Sequence, residues 1–346
     1  MPTTLYIHTF MKGVPNSMKL YKLAIVGATG LVGQTALSIL NEFHLPISDI
    51  KLFASKRSAG RKIAYMGKEL LVNELTTPSF NEGFDFAIFC AGGETSLKFA
   101  PIAALKGCIV VDNSSAFRMH PKVPLVVPEV NMADAYNCSI IANPNCSTIQ
   151  AVVALKPLDD NYKIKRIVYS TYQAVSGAGF EGVKDFERTS KNLPPEKFPH
   201  PIFNNCIPHI DVFTENGYTK EELKMINETS KILHRPDLKI TATTVRVPVY
   251  NSHSEAINVE LENDFDLEDV RQILCHSPGI ELLDDPSKNI YPLATIASGH
   301  NEVFVGRIRK DDSVPFGINL WVVADNVRKG AAANAIQIIS NLISQN

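Results

Sequence analysis

No apolar run in this sequence approaches the roughly 18 residues that cross a bilayer, and the first 17 residues lack the basic and long apolar regions of a secretory signal. Those absences make a cytoplasmic protein the expectation. Like charge is never blocked together: 34 basic residues face 36 acidic ones, for a formal net charge of −2, so neither nucleic acid nor an anionic membrane is expected as a partner. The six cysteines, at 90, 108, 138, 146, 206 and 275, form no C-x-x-C pair and no metal-ligand spacing. Reduced thiols and no metal follow. There is no internal repeat and no low-complexity tract. What remains, 346 residues that are 45% hydrophobic and 20% charged, is a globular chain long enough for two domains. A small-molecule site is the feature to look for.

The fold pattern begins after Met18. Met1, Met11 and Met18 are all possible starts, and residues 1–17 read as an extension outside the fold. A short apolar strand over 20–26 runs into Gly27-Ala28-Thr29-Gly30-Leu31-Val32-Gly33 and a helix over 34–43. Small residues there let backbone N–H groups approach a pyrophosphate, whose charge the helix start favours. The spacing is G-x-x-G-x-x-G, so a plain tight turn is the competing reading. The second strand, over 50–54, ends in Ser55-Lys56-Arg57-Ser58 rather than in the acid that grips a ribose 2′-hydroxyl. Two cations and two hydroxyls suit a 2′-phosphate, which points to NADP rather than NAD. Strands over 85–90 and 108–111 flank a helix over 96–105, continuing a parallel βα rhythm. Arg118 follows beyond the carboxyl end of that sheet, where an anion would lie.

Asn143-Pro144-Asn145-Cys146-Ser147-Thr148-Ile149-Gln150 is a tight turn that delivers a cysteine to the start of an apolar helix. Unpaired N–H groups at a helix start favour a thiolate, so Cys146 is the candidate nucleophile; a buried, inert thiol is the alternative. The helix is expected over 149–155, with Pro157 ending it. A second domain then begins. A strand over 165–172 leads to Gln173, Ser176 and Gly177, and the proline-rich span 193–208 reads as a long loop. Thr219 and Glu222 have capping-box spacing at a helix start, with Glu221 and Lys224 on one face. A strand over 239–250 carries Arg246, and His253 sits on the turn before another strand over 256–262. An arginine inside a strand needs an anion to neutralise it, and a nucleophilic cysteine needs a base such as His253. Strands over 302–307 and 318–323 precede a helix over 331–343, which should return to cover the first sheet.

The glycine turn 27–33, the Ser55 to Ser58 turn, the cysteine turn 143–150, Arg246-Val247-Pro248-Val249-Tyr250-Asn251-Ser252-His253 and Asp325-Asn326-Val327-Arg328-Lys329-Gly330 together resemble the aspartate-semialdehyde dehydrogenase family, over a match from about Met18 onward. The resemblance implies an α/β fold, with a Rossmann-type parallel sheet domain for NADP (18–145 with 326–346) and a second α+β catalytic and dimerisation domain (146–325). It implies that Cys146 attacks L-aspartyl 4-phosphate, that phosphate leaves, and that NADPH reduces the thioester to L-aspartate 4-semialdehyde, on the route to lysine, diaminopimelate, methionine and threonine. His253 would move the protons. Gln173, Arg246 and Glu221 would hold the substrate's aspartyl part, and Arg118 and Lys224 its phosphate. Gly27, Thr29, Gly30, Leu31, Val32 and Gly33 would carry the pyrophosphate, Ser55, Arg57 and Ser58 the 2′-phosphate, and Ser176, Gly177 and Asn326 the nicotinamide end. A homodimer through the second sheet is also implied. Two rivals differ in residues: N-acetyl-glutamyl-phosphate reductases resemble a Gly-Cys-Tyr-Pro pattern at the nucleophile, and a non-catalytic NADP-binding sensor should lack Cys146 or His253.

Overall fold

Every residue of Phe86–Phe89 and all but Lys22 of Tyr21–Val26 are buried, the pattern of parallel strands covered on both faces. The computed structural model describes residues 19–345, so the expectation about residues 1–17 lies outside it. Strands β1 (Tyr21–Val26), β2 (Ile47–Ala54), β3 (Lys62–Tyr65), β4 (Lys68–Glu74), β5 (Phe86–Phe89), β6 (Ile109–Asp112) and β7 (Ile140–Ala142) form one sheet in the order β3-β4-β2-β1-β5-β6-β7. All neighbours run parallel except β3 and β4. Chain order reverses at β1, between β2 and β5, the switch point at which open parallel sheets take ligands. The β3–β4 hairpin escaped the sequence reading because its turn is Met66-Gly67, both at positive φ (47° and 74°), and methionine is no usual signal for that turn.

The second sheet alternates buried and less buried residues. It comprises β8 (Ile164–Gln173), β9 (Lys239–Arg246), β10 (His253–Leu261), β11 (Ile280–Leu282), β12 (Val303–Asp311) and β13 (Gly317–Ala324), ordered β11-β12-β13-β10-β8-β9 with mixed directions. The expected α/β class, with a parallel sheet and a second α+β part, is what the chain builds. The strand expected over 239–250 stops at Arg246, two residues before Pro248, which has no N–H to offer a ladder.

Between the sheets lies the helix Cys146–Tyr162, whose Ile149, Val152 and Leu155 join Val26 and Phe89 of one sheet and Ile257 and Leu320 of the other in a single apolar cluster. Pro157 does not end this helix, contrary to expectation. A proline inside a helix costs about 3 kcal/mol. Complete burial of Leu155 and Leu158 on either side of it is worth about that much or more. The helix Ala333–Ser344 covers the opposite face of the first sheet, as expected, with Ile336 and Ile339 packed among Leu23, Ile25 and Ile88.

Candidate active site

Strand register assembles one wall of the site. Gln173 ends β8 opposite Arg246, which ends β9, and His253 opens β10 one residue before the Ser254–Tyr172 pair. The three side chains therefore share a face and an end of the sheet, because residues directly opposite on neighbouring strands lie on the same face. His253 is thus the first residue of a strand, not part of the turn; Ser252 just before it takes the positive φ of 72° and donates its N–H to Asn326 Oδ1 at 2.9 Å.

Cys146 is the first residue of its helix, as the turn predicts. Asn145 caps it, Oδ1 accepting the Ser147 N–H at 3.0 Å. Gly330 lies in a π-helical turn, Arg328–Ala332, pressed against the cysteine: a Cβ there would come within 2.8 Å of Cys146 Cβ. The buried Lys329 ammonium anchors this turn on Glu129 at 2.7 Å. One expectation fails. Burial, followed by the Glu221 carboxylate, pushes the Cys146 thiol up to about 12, and the helix start, Arg246 and Arg118 do not offset this. The candidate nucleophile is therefore a thiol at rest.

A cavity of about 790 Å³ brings Cys146 together with Leu31, Val32, Arg118, Gln173, Ser176, Gly177, Glu221, Lys224, Arg246 and Asn326. Glu221 is buried, and although burial disfavours its charge, the Lys224 ammonium and hydrogen bonds from Gln173 and Asn145 bring its carboxyl down to about 2. Lys224 is already shared between Glu221 (3.0 Å) and Asp211 (2.8 Å). The capping box at Thr219 forms as its spacing predicts, with Glu222 Oε2 accepting the Thr219 N–H at 2.7 Å. Arg246 Nη1 donates to the Ala174 carbonyl at 2.7 Å, while its buried Nε has no partner. His253 lies behind the cavity wall, fully buried. Its Nδ1 accepts the Ala174 N–H at 2.9 Å, which assigns the proton of the neutral ring to Nε2. Burial, with the Arg246 charge, brings this imidazole down to about 3, so it is neutral at physiological pH.

Gly27, Thr29, Gly30, Gly33, Ser55, Arg57 and Ser58 do not line this cavity; Gly33 lies in the first turn of the first helix and the others form the turns after β1 and β2. The first helix starts at Leu31, three residues earlier than expected, so the free first-turn N–H groups belong to residues 31–33. Gly27 has φ of 83° and a Cβ on it would sit 2.7 Å from Ala91 N; on Gly33 it would sit 2.4 Å from the Gly27 carbonyl. This tight, side-chain-free turn at the switch point fits a dinucleotide pyrophosphate, and the exposed Arg57 with no acid at the end of β2 fits a 2′-phosphate. Sequence reading missed Asn113, Ser115, Asp211 and Glu228. Only Glu228 left a signal: with Glu221 and Lys224 it repeats at i, i+3 and i+7 along one helix face.

The chain matches the semialdehyde dehydrogenase NAD-binding domain over residues 22–137 and the semialdehyde dehydrogenase dimerisation domain over residues 155–329. It is 51% identical to the aspartate-semialdehyde dehydrogenase of Aquifex aeolicus, across 94% of this chain and 98% of that one. The chain belongs to the aspartate-semialdehyde dehydrogenase family. It is therefore an oxidoreductase with a nicotinamide-cofactor domain. Among solved structures, the Vibrio cholerae aspartate semialdehyde dehydrogenase II complexed with ASA superimposes with a TM-score of 0.88 at 46% identity, covering 94% of this chain and 99% of that one. A Candida albicans aspartate semialdehyde dehydrogenase with NADP superimposes at 0.76 with 26% identity, covering 94% and 98%. No helix among the described residues of this family member is long and apolar enough to cross a membrane.

Proposed function

We propose that the chain carries out the reductive dephosphorylation of L-aspartyl 4-phosphate to L-aspartate 4-semialdehyde with NADP, in the cytoplasm, on the route to lysine, diaminopimelate, methionine and threonine. The observation that carries this reading is one cavity that places Cys146, at the start of its helix, with two buried arginines, one already paired and one not. A substrate with an acyl phosphate at one end and a carboxylate at the other needs such a pair.

In this reading Cys146 Sγ attacks the acyl carbon, the C–O bond to phosphate breaks, and the thiol proton leaves with the phosphate, giving a thioester on Cys146. Arg118 and Lys224 hold the phosphate, Arg246 the α-carboxylate and Glu221 the ammonium group, while Gln173, fixed by its bond to Glu221 at 3.1 Å, orients the acyl group. When bound, the reduced nicotinamide supplies the hydride. Residues 31–33 and their glycine turn would hold its pyrophosphate, Ser55, Arg57 and Ser58 the 2′-phosphate, and Ser176, Gly177 and Asn326 its nicotinamide end. His253 offers Nε2–H to the oxygen that gains charge; the C–S bond then breaks, and Cys146 takes up one proton from solvent and departs as a thiol. For His253 to take the thiol proton instead, its ring must first release the Ala174 amide.

The proposed cofactor domain is 18–145 with 326–346 and the catalytic domain 146–325, because the chain passes between the sheets at Cys146 and again at Asn326. A homodimer through the second sheet is supported by its outer face, which leaves Tyr172 and Trp321, 5.5 Å apart between ring centroids, incompletely covered. The deciding assay is phosphate-dependent NADP reduction, with aspartate semialdehyde compared against N-acetylglutamate semialdehyde. Turnover of the first, abolished by Cys146→Ala with NADP binding intact, is expected. Equal or better turnover of the second would overturn the substrate assignment.

A further inference from the structure

Glu228, on the helix Lys220–Ile232, is buried to 1% exposure and uses both carboxylate oxygens on the two halves of the site. Oε1 accepts from Arg118 Nη1 at 3.0 Å; Oε2 accepts the backbone N–H of Asn145 at 2.7 Å. Arg118 is held on two further sides, Nε donating to the Asn143 carbonyl at 3.0 Å and Nη2 to the Asn113 carbonyl at 2.8 Å. Three of its five N–H donors are thus spent on the protein, and two stay free in a guanidinium that lines the cavity. Asn145 immediately precedes Cys146 and caps its helix. One carboxylate therefore joins the cation nearest the leaving group to the residue that aims the nucleophile.

We infer that Glu228 is a positioning residue: it sets Arg118 and Cys146 in register, so that the phosphate oxygens are gripped where the C–O bond opens as sulfur attacks. The inference rests on Arg118 being a phosphate ligand in the proposed reaction. A glutamine at 228 has one acceptor, so it keeps either the Arg118 bond or the Asn145 bond and turns an NH₂ donor against the other. A misplacement near 1 Å in such a constellation is worth about 100-fold in rate.

The test compares the full-length protein with Glu228→Gln, Glu228→Asp and Arg118→Lys, alone and combined, in phosphate-dependent NADP reduction with aspartate semialdehyde, alongside thermal melts and NADP binding. Glu228→Gln should lower kcat by about 100-fold with KM for the semialdehyde and Kd for NADP within about twofold. In an Arg118→Lys background it should cost far less than it does alone, because the two residues act through one contact. A protein in which Glu228 only holds the fold would lose Tm while kcat per folded molecule stayed constant, and its losses would add to those of Arg118→Lys; either result overturns the inference. Should Glu228→Gln fail to fold, Glu228→Asp, which keeps the charge but reaches one partner, carries the same comparison. Wild-type protein without semialdehyde turnover would overturn the proposed reaction itself, whatever the variants do.

Discussion

Arg118 and Arg246 are both buried and line the same cavity, yet they are prepared differently. Arg118 has a resident carboxylate in Glu228 and two backbone carbonyls. Arg246 has one carbonyl, a Phe198 ring 5.8 Å away and a buried Nε with no partner. Burial pulls its pKa down, and Glu221 and Cys146 only partly compensate. Glu255, level with Thr171 and two register positions from the Gln173–Arg246 pair, shows why this matters. That carboxyl is fully buried with both oxygens unpartnered, and burial, then Glu221, raises its pKa well above the usual value, so it sheds its charge by keeping a proton. A guanidinium has no such escape at neutral pH. An unpaired buried arginine must be paired by a ligand, whereas a paired one serves as a fixed clamp.

The largest effect that would test this contrast is Arg246→Lys. Lysine keeps the charge but loses the planar fork, so KM for the semialdehyde should rise about 100-fold with KM for phosphate unchanged. Steady-state kinetics with each reactant varied in turn separate the two; if phosphate alone weakens, Arg246 does not anchor the carboxylate. Arg118→Lys should weaken phosphate and leave KM for the semialdehyde unchanged, and more weakly, about tenfold, because the ammonium keeps its charge near the two backbone carbonyls although it loses the fork that reached Glu228. Equal losses in the two variants would erase the distinction between a paired and an unpaired arginine.

A smaller effect concerns the nucleophile between them. With the thiol pushed up to about 12, mainly by burial and then by Glu221, its thiolate fraction climbs throughout the range from pH 7 to 10. Alkylation of Cys146 should rise over that whole range, and Glu221→Gln, which removes a repelling charge, should shift the profile to lower pH. A plateau near pH 8 in the unmodified protein would contradict the burial argument. The smallest effect is on stability. Because the folded Glu255 holds its proton above the usual 4.5, the folded state binds more protons than the unfolded one from there upward, and stability drains away as pH rises through that window. Glu255→Gln, a neutral isostere, escapes the loss. Its Tm advantage should grow from pH 4 to pH 8; a gap that stays level would mean Glu255 is charged and paired.

Local signals in the chain were legible. The glycine turn, the capping box at Thr219, the helix beginning at Cys146 and the βα rhythm each depend on residues within a few positions of one another. Pro157 misled because the burial that outweighs it comes from residues distant in the chain, Ile257 and Leu320, 100 and 163 positions on, among them. The thiol misled for the same reason: helix geometry is written beside Cys146, but Glu221 lies 75 residues on. Glu228 was missed because its partners, Arg118 and Asn145, stand 110 and 83 residues earlier.

The return of Ala333–Ser344 to the first sheet also bears on how the molecule is made. Leu23, Ile25 and Ile88 leave the ribosome early, but Ile336 and Ile339, which cover them, are translated only after the whole of the second sheet. Until they are made, one face of the first sheet lacks its helical cover. The same late segment that seals this face brings Gly330 against Cys146. The stretch that completes the first sheet's cover is thus continuous with the one that packs against Cys146.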